Sequence, residues 1–148
     1  MKTLFDPQVC ASVIERFDRL APEQQSLWGR MTAPQMVCHV ADQLRNALGE
    51  LDVRPMRTPL AYPPVNWLLI HWVPWPKGRA KSPPEFLARR PVTWDEDLAA
   101  LRSLIRRFSE RGPHASWPES PVFGRISGKS WGVLAFKHLD HHLRQFSV

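Results

Sequence analysis

The stretch Trp131-Gly132-Val133-Leu134-Ala135-Phe136-Lys137-His138-Leu139-Asp140-His141-His142-Leu143-Arg144-Gln145-Phe146 decides the reading of this chain. At about 100° per residue, Leu134, His138, Trp131, His142, Ala135, Phe146 and Leu139 follow one another around one continuous arc, with Lys137, Asp140 and Arg144 on the other side. That is an amphipathic helix with two histidines inside its apolar stripe. His138 and His142 are four residues apart, so both imidazoles stand on one face, one turn apart, within reach of the same ion. His141 falls at the edge of the stripe beside Lys137, on the solvated side. An unpaired buried polar group costs about 1–3 kcal/mol, and a shared metal ion would satisfy both inward imidazoles at once.

Three further helices can be read upstream of this one. Asp6-Pro7 pairs a cap residue with proline at the first helical position, and the helix it starts buries Val9, Val13, Ile14, Phe17 and Leu20 before ending near Ala21-Pro22. Thr32-Ala33-Pro34-Gln35 is a capping box, and the helix behind it runs to about Leu48 and stops at Gly49, with Met36, Val37, Val40, Ala41, Leu44 and Leu48 on one face. Thr93-Trp94-Asp95-Glu96 opens a helix whose Trp94, Leu98, Leu101, Ile105 and Phe108 recur at steps of four and three until Gly112-Pro113. The last helix is expected from about Ser130, after a loop punctuated by Pro118, Pro121, Gly124 and Gly128. No alternating run of β-branched residues competes, so the expected fold is an all-α four-helix bundle.

About forty residues separate the second bundle helix from the third, more than a short bundle loop needs. Pro55, Pro59, Pro63, Pro64, Pro74, Pro76, Pro83, Pro84 and Pro91 forbid a long helix there. Tyr62, Trp67, Leu68, Leu69, Ile70, Trp72 and Trp75 are too apolar for disorder. The expectation is a crossover with a short helix at Val65–Val73 packed over the bundle. It either buries its own aromatic residues or serves as a pocket lid or dimer surface; sequence leaves a homodimer open.

At 148 residues and 43% hydrophobic, the chain suits one domain over residues 1–148. The opening Met-Lys-Thr-Leu-Phe-Asp-Pro reaches Asp6 and Pro7 before any apolar run, and the longest apolar stretch is about half a bilayer span. The expectation is a soluble cytoplasmic protein without a membrane partner. Cys10 and Cys38 both fall in helical patterns and read as buried thiols rather than a disulfide framework. The net charge of +6 and pI near 10.0 invite a nucleic-acid partner. The basic residues are scattered, however, and the densest group, Lys77, Arg79, Lys81, Arg89 and Arg90, comes with no recognition motif. Acidic small molecules or a solvated basic surface fit better.

A third candidate ligand, His39, lies about 60° from Met36 at the margin of the second helix's apolar stripe, near Gln35, Gln43 and Asn46. Three histidines would leave an open coordination position on zinc or a similar divalent ion. A histidine in the second helix followed, after a long crossover and a third helix, by H-x-x-x-H-x-x-Q resembles the DinB/YfiT superfamily of metal-binding bundles; the match is His39, His138, His142 and Gln145. Pro121-Val122-Phe123-Gly124, Ser130-Trp131-Gly132, Lys137 to Phe146 and Trp28-Gly29-Arg30-Met31-Thr32-Ala33-Pro34-Gln35-Met36 resemble its DUF1569 branch.

The resemblance implies an up-down-down-up bundle and a divalent metal, commonly zinc or nickel, held by His39, His138 and His142. Gln145 is then a neighbouring pocket or cofactor-side group. Members with this pattern include transferases that use low-molecular-weight thiols and metal-dependent hydrolases acting on small molecules. One departure is visible: the glycine of the usual H-R-G-Q ending is Arg144 here. No H-E-x-x-H pattern supplies a base, and Asp42 and Asp140 project to the outward side of their helices, so Gln43 and Gln145 are the better candidates for supporting the ligands. The alternative is a non-catalytic ligand-binding or interaction bundle, its histidines holding a structural metal or forming a hydrogen-bonded polar core.

Overall fold

The computed structural model describes residues 1–56, 58–75 and 82–148. Pro76 and three members of the basic group, Lys77, Arg79 and Lys81, lie outside the described residues. The described chain is all-α, with helices α1 (Pro7–Asp18), α2 (Ala33–Leu48), α3 (Val65–His71), α4 (Trp94–Arg111) and α5 (Gly128–Gln145). Short 3-10 turns at Pro59–Ala61 and Pro84–Leu87 interrupt the crossover. The described residues contain no strand, only an isolated bridge between Ser120 and Gly124.

Each long helix starts where its cap chemistry requires. The Asp6 side chain accepts from the backbone N–H groups of Gln8 and Val9. Thr32 and Gln35 complete the reciprocal capping box, and the Thr93 side chain accepts from Glu96 N–H. Such a cap contributes about 1 kcal/mol. Gly49 closes α2 in the left-handed region at φ 82°. Helix α5 starts earlier than expected because Ser127, not the loop behind it, caps it by accepting from Ser130 N–H. Gly128 marks close packing rather than a loop: a Cβ there would lie 2.1 Å from the carbonyl oxygen of Pro113.

Helix α1 packs on α4 and α5, and α2 packs on the same two, so the four long helices close a ring of contacts. Their inward faces form one apolar cluster that includes Phe17, Met36, Leu44, Leu101, Ile105, Phe108, Trp131, Leu134 and Leu139. Each large side chain buried there contributes about 1.5–3 kcal/mol. The short helix of the crossover forms as expected and packs against α5. Ile70 and Asn66 face inward, while Trp67, Leu68, Trp72 and Tyr62 stay exposed. The crossover therefore buries only part of its aromatic set. Lys137, placed on the polar side of α5 by periodicity, is covered by α3: its Nζ donates to the carbonyl oxygens of Leu69, Ile70 and Val73 at 3.1, 3.0 and 2.8 Å. A cation at the end of a helix suits the dipole there, and burial lowers the Lys137 pKa from its usual value. No helix among the described residues is long and apolar enough to cross a membrane.

Candidate metal centre

His138 and His142 project from one face of α5, and α2 brings His39 to them. The Nε2 atom of His138 lies 3.1 Å from Nε2 of His39 and 3.0 Å from Nε2 of His142. One ring nitrogen from each lies within 4.8 Å of the others. All three residues are buried. The projection that put His39 at the margin of a stripe understated its burial, because the Pro84–Leu87 turn packs on α2 and covers that margin.

The outer nitrogens guide the tautomer assignment. His39 Nδ1 meets the carbonyl oxygen of Phe86 at 3.1 Å, His138 Nδ1 meets Gln43 Oε1, and His142 Nδ1 meets Gln145 Oε1 at 2.8 Å. With these oxygens as acceptors, the tautomer assigned to each ring carries its proton on Nδ1. The Gln145 amide is oriented in turn by its Nε2, which donates to Trp28 O at 2.6 Å. Gly29 permits that approach: at φ 81° its position would place a Cβ 2.8 Å from Gln145 Nε2. Three Nε2 lone pairs consequently face one another.

Facing lone pairs repel unless a proton or a cation stands between them, and burial disfavours the proton. Desolvation lowers the pKa of His39. It pushes His138 well below the ordinary histidine value, with the neighbouring imidazoles adding to it, and desolvation followed by His39 lowers His142 to about 3. A divalent cation fits this donor set. Zinc–nitrogen bonds of about 2.0–2.1 Å imply tetrahedral nitrogen–nitrogen edges of about 3.3 Å, close to the two short separations found here. Proton donation from each Nδ1 to an oxygen is the usual outer support of a ligating imidazole.

The other candidates take different places. His141, expected on the solvated edge, is half-buried and packs edge-on against Trp28, with ring centroids 5.7 Å apart. Asp42 does not project outward: it is 5% exposed and pairs with Arg45 at 2.7 Å and Arg89 at 3.7 Å. The α4 face and the crossover cover the side of α2 that periodicity assigned to water. Asp140 is likewise drawn inward by Arg16 of α1 at 2.7 Å, with Arg144 at 2.8 Å on its other oxygen. Arg144, replacing the family glycine, points away with a side chain 71% exposed and does not crowd the histidines. Cys38 turns toward Asp97, and burial together with that carboxylate raises its thiol pKa to about 11. The Phe86 and Trp28 carbonyls were invisible in sequence, since a backbone acceptor carries no residue signature.

His39 and His138 stand in the wall of a cavity of about 410 Å³, beside Trp75, Phe86, Phe123 and Trp131. A second cavity of about 180 Å³ meets them from the Trp28–Met31 side, lined by Arg30, His141 and Gln145. The sequence from residue 10 to residue 146 matches the family model of the DinB superfamily. The chain belongs to the DinB superfamily. The match runs from α1 through α5 and takes in all three clustered histidines. Among curated proteins and among solved structures, none matches this DinB-like chain.

Proposed function

We propose that this DinB-like protein, of the DUF1569 branch and with its long helices in the up-down-down-up order, is a metal-dependent enzyme of small molecules. In this reading His39, His138 and His142 hold one zinc or nickel ion. The observation that carries it is the convergence of three Nε2 atoms, each ring backed by an oxygen beside its Nδ1, with His39 and His138 in the wall of a largely apolar cavity. Such an ion supplies Lewis acidity and lowers the pKa of a coordinated thiol or water.

The chain's own residues favour the thiol. The nearest acids on α2 and α5 are committed to Arg45, Arg89, Arg16 and Arg144, so none is placed to act as the general base that hydrolysis favours. A thiolate needs no such base once formed: its proton goes to solvent, its sulfur bonds to an electrophilic carbon, and the bond from that carbon to the leaving group breaks. Arg30 and Gln145 line the smaller cavity, where Arg30 suits the carboxylate of a low-molecular-weight thiol. Gln145 positions His142 rather than reacting. The partners in this reading are an electrophile and a cellular thiol in a reducing cytoplasm, not a nucleic acid, and the exposed Trp67, Leu68 and Trp72 are the surface for any homodimer.

The test begins with untagged protein and elemental analysis. A stoichiometric divalent metal, together with turnover of an electrophile that depends on both metal and added thiol, supports the transferase. Turnover without thiol moves the assignment to hydrolysis. Protein that takes up no metal after reconstitution leaves a non-catalytic bundle with a polar core.

A further inference from the structure

The crossover helix α3 is apolar on two sides. Its inner side is fixed to the bundle: Ile70 is buried, Asn66 Nδ2 donates to the Phe123 carbonyl at 3.1 Å, His71 Nε2 meets Ser130 Oγ at 3.1 Å, and Lys137 Nζ holds the carbonyls at the C-terminal end. The helix cannot roll its outer side inward without giving up these contacts. That outer side carries Val65 and Leu68, then Trp72 just past the helix end, at steps of three and four. Trp67 lies alongside, its ring centroid 6.3 Å from that of Trp72. Tyr62 extends the stripe by one turn, its carbonyl accepting from Asn66 N–H at 3.1 Å. A helix with apolar residues on both sides is normally covered on both.

The stripe is too large to be incidental. Trp67, Trp72 and Tyr62 are 49%, 68% and 69% exposed, so on side chains of about 150–250 Å² each these three leave roughly 300–450 Å² in water. Val65, Leu68 and Val73, also exposed, add to it. The largest apolar patch on a whole monomer is about 300–600 Å², and each side of a standard stable interface contributes about 800 Å². One short helix and its flanks therefore supply about half of such a side before the aliphatic residues are counted. Trp and Tyr are also the residues that most often anchor an interface.

Charge points to the occupant. The chain carries a net +6, so two copies repel at long range. From Pro59 to Trp75 the sequence has no Lys, Arg, Asp or Glu. The stripe itself is uncharged, and it can meet an identical stripe without opposing like charges. It offers no charge of its own to an acidic protein or an anionic lipid surface. We infer that the occupant is a second copy of this chain: two α3 stripes pack across a twofold axis, with Tyr62, Leu68 and Trp72 of each chain against the same surface of the other, as an isologous dimer requires. The pairing takes up the homodimer surface named with the proposed function but needs neither metal nor substrate.

The experiment weighs the full chain by sedimentation equilibrium, with and without chelator, from about 100 μM down to about 1 μM, a range that spans micromolar dissociation constants. The expected mass at the upper end is twice 17.1 kDa, unchanged by chelator and kept in high salt, which screens ion pairs but not apolar contact. Trp72→Asp and Tyr62→Glu should each weaken the pairing at least about 30-fold, the loss of an interface anchor. Both side chains are exposed, so the far-UV circular dichroism should stay that of the wild type, and Tyr62→Glu lies outside α3 should Trp72→Asp fail to fold. Leu27→Asp, at an exposed leucine in the connection before α2, should leave the dimer intact. A wild-type monomer throughout, an open series of larger assemblies, a dimer that dissociates in high salt, or one that survives both stripe substitutions or is lost equally in Leu27→Asp overturns the inference. So does a monomer that binds phosphatidylglycerol vesicles through Trp72, which assigns the face to a lipid surface. A dimer formed by protein that takes up no metal sinks the proposed function and leaves this interface standing.

Discussion

Two buried polar clusters share α2, and they are completed in opposite ways. Asp42 and Asp97 meet two guanidinium groups: Arg45 lies 2.7 Å from Asp42, and Arg89 lies 3.7 Å from Asp42 and 2.9 Å from Asp97. The second oxygen of Asp97 accepts from Val92 N–H at 2.8 Å. Two negative and two positive charges cancel, and the carboxylates find donors within the chain. The histidine cluster has the same burial but the reverse chemistry, since every proton on its outer nitrogens is used and three acceptors are left facing each other. A closed set of opposite charges is sufficient as structure. A set of like lone pairs is incomplete until a cation or a proton arrives, and burial disfavours the proton.

The sharpest way to break this contrast is to remove one member from each cluster. His138→Ala or His142→Ala should take bound metal from about one ion per chain to less than about a tenth of that, because two imidazoles on one ion are far weaker than three. Asp97→Ala should leave metal content unchanged and instead lower unfolding stability by about 3 kcal/mol, the cost of stranding a partly buried guanidinium. Elemental analysis and urea denaturation on the same preparations measure both, and metal loss in Asp97→Ala would dissolve the distinction.

A smaller effect is expected one bond further out. Gln145→Ala frees His142 Nδ1 and should weaken metal affinity by about 10–100-fold, measured by competition with a coloured chelator. Gln43→Leu should do the same through His138. Variants that bind as tightly as the wild type would mean that the amides only fill space.

The histidine cluster also gives the metal-free protein a pH dependence. The clustered histidines titrate below 6.5 in the folded chain, and His142 near 3. Between those values the unfolded chain binds more protons than the folded one, so the stabilisation is complete above 6.5 and is lost as pH falls toward about 3. Urea midpoints should fall with acidification, and less steeply in His142→Ala. The smallest effect concerns Cys38, whose folded pKa of about 11 exceeds its ordinary 9.0. Its contribution is present below pH 9.0 and lost as pH rises toward about 11. Alkylation of the native protein at pH 8 should accordingly be far slower than after unfolding.

Local chemistry determined much of this molecule without help. The Asp6, Thr32 and Thr93 caps act on backbone groups within three residues, so the starts of α1, α2 and α4 were legible to the residue. The four-residue spacing of His138 and His142 fixes their shared face for the same reason, because a helix converts short separations in sequence into definite directions. Gln43 and Gln145 could also be read as supports, each lying within a turn of a histidine.

Tertiary structure alone decided the remainder. It chose which sides of α2 are covered, burying His39 and Asp42 where periodicity put a margin and a solvated face. It brought the Phe86 carbonyl to His39 from 47 residues away, folded the crossover over Lys137, and shaped the cavity that His39 and His138 line. A helix period specifies one apolar stripe, whereas a helix packed between several neighbours has several buried sides, and only the packing says what each of them meets.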